Sequence, residues 1–220
     1  MRDCKSRGFG LRKFKSSSAH QTIMKITIKN NIIHIRFDNQ YEMTSTMVRM
    51  QEFYESPYQE IRGHYFTLDK FMDVYTKNNK KSVFTYFTDW MGFNLPDKTI
   101  RKFIVKYLFR LREKEVNLLN KIPISMLLGF KKFYLIATCH DDDVEHELAH
   151  AYFYLNYDYQ FEMVTLISKL SPKKLEYWFN HLTKKGYCKE VFYDEIQAYS
   201  IDKGEKKFKE MYDRYFKLLS

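Results

Sequence analysis

One stretch limits the chain's possible folds and chemistry more than any other. His146-Glu147-Leu148-Ala149-His150 lies within residues 144–155, which contain neither Pro nor Gly and place Val144, Leu148, Ala149, Phe153 and Leu155 at apolar positions. That pattern predicts a helix. Residues four apart share a helix face, so both imidazoles can bind one metal ion. Glu147, next to the first of them, is placed to act as general base toward a water that the ion activates. Residues 132–137 have β character and run into Asp141-Asp142-Asp143. This acidic triplet reads as the N-terminal cap of the helix, where carboxylates meet unpaired backbone N–H groups, in preference to a metal-binding loop.

A catalytic zinc site uses three protein ligands and leaves one position open. The best third ligand is Glu195, in Tyr193-Asp194-Glu195-Ile196-Gln197-Ala198-Tyr199, far enough beyond His150 for the intervening helices to turn the chain back. Asp194 is its main rival, and Glu162, Glu190 and Glu205 are weaker ones. Two histidines and a carboxylate can also hold iron, so the ligand types alone do not choose zinc.

Glu145-His146-Glu147-Leu148-Ala149-His150-Ala151, followed by a downstream Glu on a second helix, resembles the gluzincin branch of the HExxH zinc metallopeptidases (zincins), particularly the very small minigluzincins. The resemblance covers about residues 130–205. It implies a zincin-like lobe with a small β-sheet, one Zn²⁺ on His146, His150 and Glu195, Glu147 as the general base, and a peptide or protein substrate. Thermolysin-like members place an Asp four residues after the ligand Glu, where it orients a zinc histidine; this chain has Tyr199 there. Support for the histidines then falls to Asp194 or Asp202. Tyr199 is a candidate oxyanion stabiliser or a packing tyrosine. No histidine follows His150 at the metzincin spacing, and Cys139 lacks the Gly-Cys-Leu context of peptide deformylases.

The rest of the sequence supplies the frame. Of the formal charge of +10, half belongs to residues 1–22, which hold six Lys/Arg against Asp3 alone and are rich in serine. Residues 1–23 therefore read as a basic disordered arm, able to contact nucleic acid or another acidic partner, and also compatible with an organelle-targeting peptide. Met24 opens what looks like a natural domain start. A non-catalytic binding protein that retains a zincin fold and works through this arm is the alternative to a hydrolase; the intact Glu147 argues against it. Cys4, Cys139 and Cys188 form no CxxC pair, which suits free thiols in a reducing, intracellular compartment, and no apolar run is long enough to span a membrane.

Ile26, Ile28, Ile33, Ile35 and Phe37 alternate around Asn30-Asn31 and predict a β-hairpin. Helices are expected at residues 45–54, from Thr67 as N-cap, over a long stretch of residues 98–120, after Ser171-Pro172 up to Gly186, at Tyr193 to Asp202, and from about Glu205 to Leu218. Asp89–Pro96 breaks periodicity and reads as a turn packed by Trp90 and Phe93, or as a substrate-shaping loop. His140 reads as a loop histidine. The fold class is helix-rich α+β: an N-terminal α+β region over residues 24–128, acting as cleft wall or pro-segment, and a zincin-like catalytic region over 129–220.

Overall fold

Asn30 and Asn31 both take positive φ, 50° and 63°. This is the two-residue primed turn whose twist matches that of the flanking strands. It joins β1 (Met24–Lys29) to β2 (Ile32–Phe37) in an antiparallel hairpin with Lys29 opposite Ile32, as the alternating isoleucines predict. The structure, a computed structural model, describes residues 24–80, 82–140 and 144–219. The basic arm with Cys4 and the acidic triplet Asp141-Asp142-Asp143 lie outside the described residues.

The chain continues through α1 (Gln40–Glu55), α2 (Leu68–Asn78), the single turn α3 (Tyr86–Asp89), β3 (Gly92–Pro96), α4 (Asp97–Tyr107), α5 (Glu113–Leu119) and the short α6 (Ile124–Leu127). β4 (Tyr134–Thr138) leads into α7 (Val144–Leu155), α8 (Tyr157–Ser168), α9 (Pro172–Lys185), a 3-10 turn at Lys189–Val191, α10 (Phe192–Asp202) and α11 (Lys206–Leu219). The four strands form one mixed sheet in the order β1-β2-β4-β3, with β2 and β4 parallel and the other pairs antiparallel. Three strands come from before residue 129 and one from after it. The chain is thus helix-rich α+β around a small sheet.

Alternation along β2 and β4 divides the interior in two. Ile33, Ile35, Leu135 and Ala137 face a core built from α1, α2, α4 and α5, where Met47, Phe53, Phe71 and Phe103 are buried. Ile32, Tyr134 and Ile136 face the opposite core, supplied by α7 to α11 through Ala149, Met163, Trp178, Ile196 and Phe208. Both faces of β4 are covered, which is why residues 134–138 are apolar throughout, apart from Thr138 at the end. Among the described residues no helix is long and apolar enough to cross a membrane.

Several elements differ from the sequence expectation for physical reasons. α1 starts at Gln40, ahead of residue 45, because Asn39 caps it by accepting from the Glu42 N–H at 2.9 Å. Thr44, just before the expected start at residue 45, lies inside the helix and donates its hydroxyl to the Gln40 carbonyl at 2.7 Å. Thr67 does cap α2, and Ser171 and Gly186 (φ 90°) bound α9 as expected. Asp89–Pro96 is not a turn throughout: from Gly92 it becomes edge strand β3.

The long helix over 98–120 is broken into α4 and α5. Arg49, buried in α1, sits over the Tyr107 ring at 4.6 Å and pairs with the buried Glu115 carboxylate. An unbroken helix would carry Glu115 about 12 Å beyond Tyr107. Leaving a buried arginine unpaired costs about 3–5 kcal/mol. The few backbone hydrogen bonds lost at the break are worth about 1 kcal/mol each, and Glu115 recovers one by accepting from the Arg112 N–H. No Gly or Pro marks the break, so periodicity alone runs through it.

Candidate metal centre

α7 packs against α10 and lies across β3 and β4. α7 is apolar on more than one side because it faces both neighbours: Ala149, Ala151 and Phe153 are buried in the core while His150 and Glu147, at 1% and 5% exposure, face inward. His146 contacts Asp202 and His150 contacts Asp194, so the two helices run antiparallel. This crossing brings His146, His150 and Glu195 together, with one donor atom from each within 4.8 Å of the others.

Each imidazole is held from behind. His146 Nδ1 lies 2.6 Å from Asp202 Oδ2, and His150 Nδ1 lies 2.8 Å from Asp194 Oδ1. An ionised carboxylate only accepts, so both Nδ1 atoms carry the proton and donate it. In the neutral imidazoles both Nε2 atoms then carry lone pairs, and they face one another at 3.2 Å. Two acceptors at that distance repel unless a proton or a metal cation lies between them. Nitrogens bound at ordinary Zn–N lengths around a tetrahedral ion stand about 3.3 Å apart. Glu195 completes the set: Oε1 is 3.8 Å from His150 Nε2, and Oε2 is buried with no hydrogen-bond partner among the described residues. An orphaned buried carboxylate oxygen beside two opposed imidazole nitrogens fits a divalent cation.

The electrostatics agree with that reading. Burial alone would lower the His150 pKa, but the charges of Asp194 and Glu195 outweigh it and raise it well above the ordinary value. Burial pushes Glu195 up to about 7, with the His150 and His146 charges pulling it only part of the way back. Positive charge is favoured at this spot, and the carboxylate lacks enough of it.

Glu147 is fixed by a short relay from the sheet. Tyr134 donates its hydroxyl to Asn94 Oδ1 at 2.6 Å, and Asn94 Nδ2 donates to Glu147 Oε2 at 2.9 Å. The tyrosine settles which way the Asn94 amide points. Gly92, two residues earlier on the same face of β3, leaves the space that the Glu147 carboxylate fills. Glu147, His146, His150, Glu195 and Tyr199 all line one cleft of ≈460 Å³, together with Gln51 and Glu55 of α1. The Tyr199 hydroxyl accepts from Lys185 Nζ at 3.0 Å and lies 3.2 Å from the Tyr187 hydroxyl, and its ring meets that of His146 at 5.1 Å.

The rival ligands are engaged elsewhere: Asp194 behind His150, Glu162 with Tyr215 and Arg214, Glu190 with Arg62, and Glu205 with Lys174. His140 is exposed and Cys139 is buried outside the cleft. Sequence reasoning passed over Tyr134, Gln51 and Glu55, and placed Gly92 and Asn94 in a segment read as a packed turn or a substrate-shaping loop. The one available signal was the polar Gly92 and Asn94 alternating with apolar Phe93 and Leu95, which is the two-residue period of a strand with one face on a polar site.

The Asp194 contact should be felt in metal affinity. Asp194→Asn is expected to weaken zinc binding about 10–100-fold, because the imidazole loses the acceptor that sets its tautomer and basicity. Competition against a fluorescent zinc chelator measures this; unchanged affinity would show that the aspartate does not support the ligand.

No protein-family model matches the chain, and neither a curated protein nor a solved structure does.

Proposed function

We propose that the chain is a zinc-dependent hydrolase of zincin type, most simply a metallopeptidase. The observation that carries this reading is the convergence of His146, His150 and Glu195 on one point of a cleft that also contains Glu147. His146 Nε2, His150 Nε2 and Glu195 would hold the ion. Zinc bound there supplies a Lewis acid that polarises a carbonyl and makes water more acidic. Asp202 and Asp194 keep the two imidazoles in the ligating tautomer. Glu147 accepts the proton of the attacking water and returns it to the departing amine, and Asn94 keeps its carboxylate in place between the two transfers.

A peptide is favoured over a compact small substrate because β3 is an edge strand of the sheet and contributes Gly92 and Asn94 to the cleft. An extended chain can add to such an edge through main-chain hydrogen bonds. The alternative ion, iron, fits the same donor types, so elemental analysis is the deciding experiment. Purified protein is expected to carry one zinc per chain by mass spectrometry. Glu195→Ala should carry substoichiometric zinc, and His146→Ala with His150→Ala none. Full zinc retention by the double histidine variant would remove the site, and iron in place of zinc would replace the cofactor.

A further inference from the structure

The cleft has an extension that the hydrolytic groups do not use. A side chamber of ≈240 Å³ opens between the C-terminal half of α1 and the end of α9, and shares Gln51, Glu55, Asp89, Trp90, Lys185 and Tyr187 with the main cleft. Its walls are aromatic (Tyr58, Tyr86, Trp90 and Tyr187), and α1 adds two carboxylates, Glu52 and Glu55. Neither carboxylate has an ion pair among the described residues. Glu55 accepts from Gln51 Nε2, one helical turn away. Gln51 Oε1, on a residue 7% exposed, is buried with no hydrogen-bond partner. Two lysines stand at the rim, but both are exposed, and Lys185 Nζ is engaged by the Tyr199 hydroxyl and ring.

Of the two carboxylates Glu52 is buried and Glu55 half-buried; withdrawing such groups from water without a counter-charge is costly, and the unmet amide oxygen of Gln51 adds another acceptor in need of a donor. Aromatic faces around such acceptors also attract a cation. The chamber's unmet donors, Trp90 Nε1 and the Tyr86 hydroxyl, are neutral and its two lysines are exposed, so no buried cation among the described residues lines it. We infer that this chamber is a specificity subsite that takes the cationic side chain of a substrate residue, a lysine ammonium or arginine guanidinium, adjoining the metal centre. Glu55 and Gln51 Oε1 receive its N–H groups, and the tyrosine and tryptophan rings flank its aliphatic stem. The inference rests on the hydrolase reading above and names the substrate class for it: peptides with a basic residue beside the scissile bond.

Amino-acid hydroxamates test both levels separately, because the hydroxamate binds the metal while the side chain probes the chamber. Isothermal titration of the full-length, zinc-loaded chain would compare the hydroxamates of lysine, norleucine, Nε-acetyllysine and Nα-acetyllysine. Lysine hydroxamate is expected to bind about tenfold or more tightly than the norleucine and Nε-acetyllysine compounds, with Nα-acetylation having little effect. In Glu55→Gln, with zinc content checked, the lysine and norleucine compounds should come within about twofold of each other. Equal affinities for lysine and norleucine hydroxamates in the wild type would overturn the subsite while leaving the metal centre standing. Loss of the preference on Nα-acetylation alone would also overturn it, since the chamber would then hold a peptide's amino terminus. Failure of all four to bind would refute the metal-centre reading and the subsite with it. The wild-type series decides the matter even if Glu55→Gln does not fold.

Discussion

Glu147→Gln is expected to lower kcat/KM on a peptide substrate by about 10²–10⁴-fold, with the loss in kcat and with zinc content unchanged. The substitution is nearly isosteric, and its amide oxygen can still accept from Asn94 Nδ2, which lies 2.9 Å from Glu147 Oε2. Packing between α7 and β3 is therefore preserved. What is lost is an atom able to take a proton from water and give it up again. Glu147 is not among the three clustered groups that could hold a metal ion, so loss of its carboxylate would leave the proposed donors intact. Steady-state kinetics with parallel metal analysis checks both halves. Turnover within a few-fold of wild type would refute the assigned base, whereas loss of zinc would mean that Glu147 acts on the ion itself.

The parts of this site that could be read from the sequence are those written in local spacing. His146 and His150 share a helix face at any tertiary arrangement, and Glu147 is beside them by chain connectivity. The Asn30-Asn31 turn, the Thr67 and Ser171 caps and the Gly186 terminator are local in the same sense. Glu195 was reachable because a glutamate set among the apolar and amide-bearing residues of its helix is costly to bury without a partner, and the structure does bury it in the cluster. Asp194 and Asp202 were seen as a pair of alternatives; antiparallel packing of α10 on α7 gives each histidine its own.

Groups that reach the site across the sheet were not legible. Asn94, Tyr134 and Gly92 come together only through the pairing of β3 with β4, which sets Asn94 opposite Ile136 and Pro96 opposite Tyr134. Gln51 and Glu55 belong to a helix that is buried over nearly its whole length, so its polar residues carry no amphipathic signature. The break after Tyr107 was hidden for a related reason, because its cause is a buried partner 66 residues away in sequence, Arg49 with Glu115.

Gly92→Ala carries the second large effect, and it acts through the position of Glu147, without removing any group that holds the metal. Gly92 is in ordinary strand conformation, so its backbone accepts alanine, and the constraint is spatial. A Cβ there would overlap Glu147 Oε1 and lie 3.0 Å from its Cδ and 3.2 Å from its Cγ. The Glu147 side chain must give way, yet it is 5% exposed and held by Asn94, so it leaves its position as a whole. Misplacing a catalytic group by about 1 Å costs on the order of 10²-fold. The variant is therefore expected to fold, keep its zinc and lose kcat on that order, with KM little changed. Glu147→Asp withdraws the carboxylate by one methylene and removes the clash. Its effect should consequently be far smaller in the Gly92→Ala background than in the wild type, a coupling that a double-mutant cycle on kcat measures. Strictly additive losses would mean that the new methyl group acts by another route than Glu147.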